Sequence, residues 1–206
     1  MYDYIKGLVT RVTPEYVTLE QNGIGWQIFT PNPYAFRVTD DEQQIFTHLN
    51  VREDAQNIFG FISLEQRELF RKLILVSGIG PKGALAILAS GQPSQVIQAI
   101  EHEDELFLVK FPGVGKKTAR QMILDLKGRL GDLIGETPIP SGLDELQLFP
   151  DKVGKQEIEE AFLALAALGY SERELAKIRP QLDLISEALE TEGYMKKALQ
   201  LLLKQS

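Results

Sequence analysis

The chain has 206 residues, of which 44% are hydrophobic and 25% are charged, proportions that are typical of a soluble globular protein. It contains no cysteine, which excludes a disulfide framework and thiolate chemistry and fits a reducing compartment. No apolar run approaches the roughly 18 residues that a membrane-spanning helix needs, so we expect a cytoplasmic protein.

The charge is distributed unevenly along the chain. The formal net charge is −7, which taken alone argues against a nucleic-acid partner. Residues 1–62 carry 4 basic and 8 acidic residues, and residues 136–206 carry 8 and 13. Residues 63–135 carry 10 basic and 8 acidic residues. The middle third, with a net charge of +2, is therefore the only segment that is not acidic.

Residues 1–62 carry the alternation and the turn signals of short strands. Residues 16–19 alternate after the Thr13-Pro14 turn, and Asn22-Gly23 is a tight-turn signal between two strands. Similar patterns near residues 5–12, 26–29, 44–49 and 58–61 complete a set of five. Five strands in about 60 residues predict a small closed barrel, for which the OB-fold is the commonest solution and an SH3-like barrel the alternative.

The rest of the chain has helical periodicity. Ser63 opens a capping box, and helix signals continue to Leu130. Residues 136–154 are rich in proline and glycine and predict a linker. In residues 155–206, Gly169 is a helix C-cap signal, Ser171 begins a second capping box, and Pro180 predicts the end of the helix that follows.

An internal repeat in the middle segment carries the strongest functional signal. Residues 76–87 and 111–122, offset by 35 positions, both read as a helix end, Gly-apolar-Gly, a short basic stretch and an amphipathic helix. The first glycine permits a positive φ, and the second lets the backbone approach another molecule closely. The next helix starts at once, and its unpaired N–H groups and positive dipole end can bind a phosphate without reading a base.

The repeat therefore predicts two helix-hairpin-helix units that contact phosphates of both strands across the minor groove of a duplex. The predicted DNA-binding residues are Gly78, Gly80, Lys82, Gly83, Gly113, Gly115, Lys116, Lys117, Thr118 and Arg120. One alternative is that the turns are ordinary helix C-caps. Another is a dinucleotide site, because Gly78, Gly80 and Gly83 match the Gly-x-Gly-x-x-Gly fingerprint, but that fingerprint follows a strand and residues 64–76 are predicted helical.

Four segments resemble the RuvA family, the Holliday-junction recognition subunits of bacterial RuvAB branch-migration machines. The segments are 51–61, 70–82, 112–119 and 167–170, and the resemblance covers nearly the whole chain. It implies an α+β multidomain fold: an OB-fold barrel at 1–62, a double helix-hairpin-helix domain at 63–135, a flexible linker at 136–154 and a small three-helix, UBA-like domain at 155–206.

The resemblance also implies a function and partners. Members bind four-way (Holliday) junctions through the DNA backbone, hold them open, and load and regulate a RuvB-type hexameric ATPase for branch migration in recombination, DNA repair and the SOS response. They form a homotetramer, or an octamer on DNA. Their C-terminal domain contacts the RuvB-type ATPase, and a RuvC-type resolvase acts on the same complex.

Some residue roles come from the resemblance alone. It makes Glu53 and Asp54 an acidic pin, whose four copies at a fourfold centre would keep DNA strands apart; without it, they read as a solvated hairpin tip. The family has a basic residue where this chain has Gln121, and Arg120 stands one position earlier. Candidates for the partner-binding surface are Leu168, Leu199 and Leu202, unless they form the core of the small domain.

No catalytic residue, metal-ligand set or cofactor motif has credible spacing, so the sequence predicts a non-catalytic subunit without a cofactor. The enzymatic alternative is a helix-hairpin-helix repair enzyme, a glycosylase or nuclease, which needs a catalytic Asp or Lys in a pocket or clustered carboxylates. A protein-interaction module that uses its acidic ends is a further alternative.

Overall fold

The structure is a computed structural model that describes residues 2–89, 93–133, 155–183, 185 and 189–205. The predicted linker at 136–154 lies outside the described residues. The strands are β1 (Tyr4–Val12), β2 (Tyr16–Gln21), β3 (Ile24–Phe29), β4 (Gln43–Val51) and β5 (Gln56–Phe61). The helices are α1 (Leu64–Leu73), α2 (Pro81–Ala89), α3 (Pro93–Glu101), α4 (Glu105–Leu108), α5 (Lys116–Leu126), α6 (Lys155–Leu168), α7 (Glu172–Asp183) and α8 (Thr191–Gln205).

The five strands close into a barrel in the order β1-β2-β3-β5-β4. β3 and β5 run parallel and the other neighbours antiparallel, so the barrel is of the OB type and confirms that prediction. Asn22 and Gly23 connect β2 to β3 with φ values of 52° and 76°, as a tight hairpin turn requires. Alternate residues of the strands, such as Val17, Leu19 and Ile45, fill the interior.

An aromatic cluster joins the barrel to the helices. The ring of Phe70 on α1 lies 5.1 Å from that of Phe59 and 4.9 Å from that of Phe61, and 5.6 Å from the imidazole of His48. One turn earlier on α1, the buried guanidinium of Arg67 donates to the backbone and the side chain of Asp3. These contacts fix α1, and the helices that follow it, on the outside of the barrel.

Capping residues set the helix boundaries as predicted. The hydroxyl of Ser63 accepts from the N–H of Gln66 at the start of α1. Ser171 and Glu174 form a complete capping box, in which each side chain accepts from the other residue's N–H. The hydroxyl and the N–H of Ser171 lower the pKa of Glu174. Gly169 ends α6 with φ 107°, as its C-cap signal indicated.

The prediction that Pro180 ends the second C-terminal helix is wrong, because α7 continues through it to Asp183. A proline removes one backbone hydrogen bond and crowds the carbonyl four residues earlier. Only three residues follow it in α7, and Leu182 among them is fully buried. The apolar burial of that last turn offsets the missing hydrogen bond.

The three C-terminal helices pack against the rest of the chain. The Nζ atom of Lys110 donates to the carbonyl oxygen of Leu203 at 2.6 Å, and Arg37 pairs with Glu190, also at 2.6 Å. Burial, and then the charge of Glu160 on α6, raise the pKa of Tyr34 to about 12. The apolar cores of the helical segments are continuous. The acidic C-terminal helices thus lie against cations of the barrel and of the middle segment.

We predict that the aromatic cluster that joins the barrel to α1 is less stable in mild acid. Burial, and then the positive charges of Arg71 and Arg67, lower the pKa of His48. The folded state therefore favours the neutral imidazole of His48. The contribution of this preference to the free energy of unfolding is fully present above about pH 6.5, the ordinary pKa of a histidine in the unfolded chain. It is lost as the pH falls toward the lowered pKa of the folded state. The thermal midpoint of His48→Gln should fall less than that of the wild type between pH 7.5 and 5.5.

The matched control is His102→Gln, because His102 is the other histidine of the chain and lies exposed after α3. An equal acid sensitivity of the wild type and His48→Gln would contradict the prediction.

Candidate nucleic-acid interface

The two copies of the repeat have the same backbone geometry. Gly78 has φ 92° and Gly113 has φ 78°, values that an L side chain rarely adopts. The N–H of Ile79 donates to the carbonyl of Val76, and that of Val114 to the carbonyl of Phe111, both at 3.1 Å. The turns are therefore conformational repeats as well as sequence repeats.

Each turn leads directly into a helix. The first intrahelical bond of α2 joins the N–H of Ala84 to the carbonyl of Gly80 at 3.0 Å, and that of α5 joins Ala119 to Gly115 at 2.9 Å. The N–H groups that precede these bonds have no acceptor within the helix. Pro81 occupies the first position of α2, where a missing N–H costs nothing. Both helix starts therefore present free donors and a positive dipole end.

The apolar middle residue of each turn holds the geometry. Ile79 and Val114 are 7% and 6% exposed, although the glycines on either side of each are exposed. Each side chain packs into the common core of the middle segment. Burial of such a side chain stabilises the turn by roughly 1.5–3 kcal/mol, enough to keep the backbone in place without a ligand.

The two turns are neighbours. A Cβ atom built on Gly78 would lie 3.4 Å from Oγ1 of Thr118, on the first turn of α5. Lys82, Lys116 and Lys117 are exposed beside the two helix starts. The structure thus brings the predicted DNA-binding glycines, lysines and Thr118 together as one surface with two anion-binding ends.

The acidic run before α4 supports the second hairpin. Asp104 caps α4, where its carboxylate accepts from the N–H of Phe107 at 2.9 Å. Glu101 accepts from the N–H of Gly128, and Glu103 pairs with Lys127 at 2.5 Å. Lys127 lowers the pKa of Glu103. The run therefore anchors the far end of α5.

Arg120 is part of the same support. Its Nε atom lies 3.0 and 3.1 Å from the two carboxylate oxygens of Glu105, so the guanidinium is paired. Gln121, where the resemblance has a basic residue, donates to Asp125 instead. Sequence reasoning missed the Glu105 partner, although an acidic run fifteen residues upstream was a visible signal.

Glu53 and Asp54 are exposed at the tip between β4 and β5. The N–H of Arg52 donates to the carbonyl of Ala55 at 2.8 Å and closes the turn. The two carboxylates therefore project from a short hairpin that is tied to the barrel. The geometry fits both a solvated tip and a pin.

The three candidate partner-binding leucines are core residues in this structure. Leu168, Leu199 and Leu202 are 7%, 1% and 8% exposed. They hold the C-terminal helices together, which is the alternative that the sequence left open. The large apolar residue that α6 does expose is Leu163, at 57%.

Other chemistry has little support in the part of the chain that the structure describes. There, no three His, Asp or Glu side chains lie close enough together to hold a metal ion. None of the described helices has both the length and the apolar character needed to cross a lipid bilayer. Trp26 is partly buried in the barrel, where its ring packs edge-on against Tyr2 at 5.4 Å.

Comparisons with known proteins agree with this architecture. Family models described as "RuvA N terminal domain", "SAM-like Helix-hairpin-helix tandem" and "RuvA, C-terminal domain" match residues 1–60, 70–128 and 156–203. A "Holliday junction branch migration complex subunit RuvA" of Lysinibacillus sphaericus is 70% identical over 204 residues, 99% of either chain. Proteins of the same name from Bacillus thuringiensis and Bacillus anthracis are 57% identical over 98% of both chains.

Two glycine substitutions separate the fold of a turn from its approach to a ligand. Gly113→Ala should cost about 1–2 kcal/mol in urea unfolding, because an alanine is strained at φ 78°. Gly115→Ala should change stability by less than about 0.5 kcal/mol, since Gly115 has φ −87° and open space around its Cα. The Gly115→Ala methyl should nevertheless weaken duplex binding, because it holds a phosphate away from the helix start. Unchanged binding by Gly115→Ala would contradict the close approach at this turn.

Proposed function

Because the chain belongs to the RuvA family, we propose that it is the junction-binding subunit of a Holliday junction branch migration complex. It binds four-way junctions through the DNA backbone and holds them open while an ATP-driven motor moves the branch point in recombination and repair. The observation that carries this proposal is the pair of adjacent Gly-apolar-Gly turns with exposed lysines, on a chain that is otherwise acidic.

The hairpins bind phosphate rather than base. Each helix start offers backbone N–H groups and a dipole end, and lysines next to it add charge, which together favour an anion of any sequence context. We assign the contacts to Gly78, Gly80, Lys82 and Gly83 in the first hairpin. In the second hairpin we assign them to Gly113, Gly115, Lys116, Lys117 and Thr118. We also assign a contact to Arg120, whose exposed guanidinium pairs with Glu105 in the free protein.

The chain is a DNA-binding, non-catalytic subunit, and the repair-enzyme alternative is not favoured, because its close relatives are named as branch migration complex subunits. We propose that the motor is a RuvB-type hexameric ATPase in the cytoplasm. Its contact is assigned to the domain at 155–206, which a linker at 136–154 joins to the domains at 1–62 and 63–135. The buried leucines of that domain keep its contact surface in shape.

The junction requires more than one copy of the hairpins. We propose a homotetramer, or an octamer on DNA, that presents four hairpin surfaces to four arms and accepts a RuvC-type resolvase. Four copies of Glu53 and Asp54 then meet at the crossover. Carboxylates at this position repel phosphates and keep the exchanging strands apart. The exposed hairpin tip, tied by the Arg52–Ala55 bond, suits this role.

The phosphate grip is tested by Lys116→Ala combined with Lys117→Ala. Affinity for junction and linear duplex should fall together, by about tenfold, and the slope of log K against log salt should fall by about 2, because each lysine releases one counterion from DNA. The measurement is fluorescence anisotropy at several salt concentrations.

The control is Lys196→Ala with Lys197→Ala, an adjacent exposed pair on α8 that removes the same charge. A matching loss in the control would mean that net charge, and not the hairpin, governs binding. A loss confined to one DNA sequence would argue against a backbone grip.

The pin is tested by Glu53→Gln combined with Asp54→Asn. Affinity for linear duplex should rise about threefold, while junction affinity changes less, because linear DNA no longer meets the central repulsion. The ratio of junction affinity to duplex affinity therefore decreases. Asp40→Asn with Asp41→Asn neutralises another exposed acidic pair on the barrel and should leave the preference unchanged. Equal effects of both double variants would remove the special role of the tip.

A further inference from the structure

A cavity of about 420 Å³ lies between the barrel, the first hairpin and the end of α6. Its barrel wall comes from β3, from the β1–β2 turn at Pro14 and from the β4–β5 loop at Arg52 and Asp54. Lys82 of the first hairpin forms another wall. The two loops that line it, between β1 and β2 and between β4 and β5, are those with which OB-folds bind oligonucleotides.

The lining has the chemistry of a site for a nucleobase. Phe29 supplies an aromatic surface, and the buried ring of Phe59 lies behind it with the two ring centroids 6.0 Å apart. Asn50 and Asn57 face each other across β4 and β5, and their amides can both donate and accept. Unpaired bases are bound by this combination of aromatic stacking and hydrogen bonds to base edges. The volume is within the range of about 300–1,000 Å³ that small-molecule sites occupy.

The position of the cavity identifies the nucleotide. Asp54 of the tip and Lys82 of the phosphate-binding hairpin both line it, so it lies between the point where strands separate and the point where an arm is gripped. A base released from pairing beside the tip is adjacent to this cavity. Its phosphate can remain at Arg52 and Lys82, the two cations of the wall.

We propose that this cavity binds one unpaired nucleotide of the junction at the crossover, with the base between Phe29 and the two asparagines. The inference rests on the proposed function and adds a base-binding site to a surface that otherwise contacts phosphates. Ala167 and Leu168 at the end of α6 close the cavity on one side, so the docked C-terminal helices shape the site.

The experiment uses the full chain and a synthetic four-way junction with 5-iododeoxyuridine in place of a thymine at the crossover. After irradiation, tryptic digestion and mass spectrometry locate the cross-linked residue. We expect cross-links to Phe29, on the tryptic peptide that spans residues 12–37. The same base analogue in the middle of an arm, where it stays paired, should give none at this residue.

Asn57→Leu replaces an amide of the cavity wall with an apolar side chain of similar size. Cross-linking at the crossover should fall about fivefold, the loss expected when one hydrogen bond to the base is removed. Junction affinity should change by less than about threefold, since the phosphate contacts carry most of it. Gln56→Leu is the matched control, because Gln56 is the exposed neighbour on β5 and does not line the cavity.

The outcomes separate this inference from the proposed function. A chain that binds the junction but cross-links only through the hairpins or the tip overturns the base site and leaves the junction-binding role intact. Equal cross-linking of Asn57→Leu and Gln56→Leu also overturns it. A chain that does not bind the junction at low salt overturns the proposed function as well. The wild-type cross-link map remains decisive even if Asn57→Leu does not fold.

Discussion

The placement of the two hairpins relative to the β4–β5 tip depends on the packing of Phe70 against the barrel. Its ring meets Phe59 and Phe61 from β5 and His48 from β4, and β4 and β5 are the strands that carry the acidic tip. Each aromatic pair adds about 0.5–1.5 kcal/mol to the burial of the rings. Because α1 leads directly into the first Gly-apolar-Gly turn, this cluster sets the distance between tip and hairpins. Looser packing of this cluster would leave the tip and the hairpins folded but would change the distance between them.

Local charge, and not net charge, decides what this surface can bind. The chain is acidic as a whole, yet each helix start combines N–H donors, a dipole end and one or two exposed lysines. At physiological salt the screening length is about 8 Å, so the distant acidic residues contribute little at the phosphate. Within the acidic run, Glu105 is paired with Arg120, and Glu103 is paired with Lys127 at the far end of α5. The acidic run therefore supports the basic surface without neutralising its lysines.

Structural features that depend on a few neighbouring residues could be predicted from the sequence, whereas features that depend on tertiary packing could not. The capping boxes at Ser63 and Ser171 marked helix starts because a cap is a bond over three residues. The prediction that Pro180 ends its helix was wrong, because α7 continues past it through the tertiary burial of its last turn, which local sequence does not show. The acidic run at residues 101–105 was visible, but the sequence does not show that Glu105, which lies on another helix, pairs with Arg120. Nor does an apolar stripe that contains Leu168 reveal whether it faces a core or a partner. The repeat predicted two turns of the same geometry, because the first glycine of each copy adopts a positive φ.

Phosphate contacts alone cannot select a four-way junction over linear DNA, because both offer the same backbone. Selection has to use something that linear duplex lacks, and at a junction that is the crossover. In the proposed complex the β4–β5 tip and the cavity beside it face the crossover, where the tip repels phosphates and the cavity offers an amide and aromatic lining. In that complex the hairpins supply the affinity for DNA, and the barrel supplies the preference for a junction. That arrangement gives the barrel a role that two sequence-neutral hairpins cannot fill.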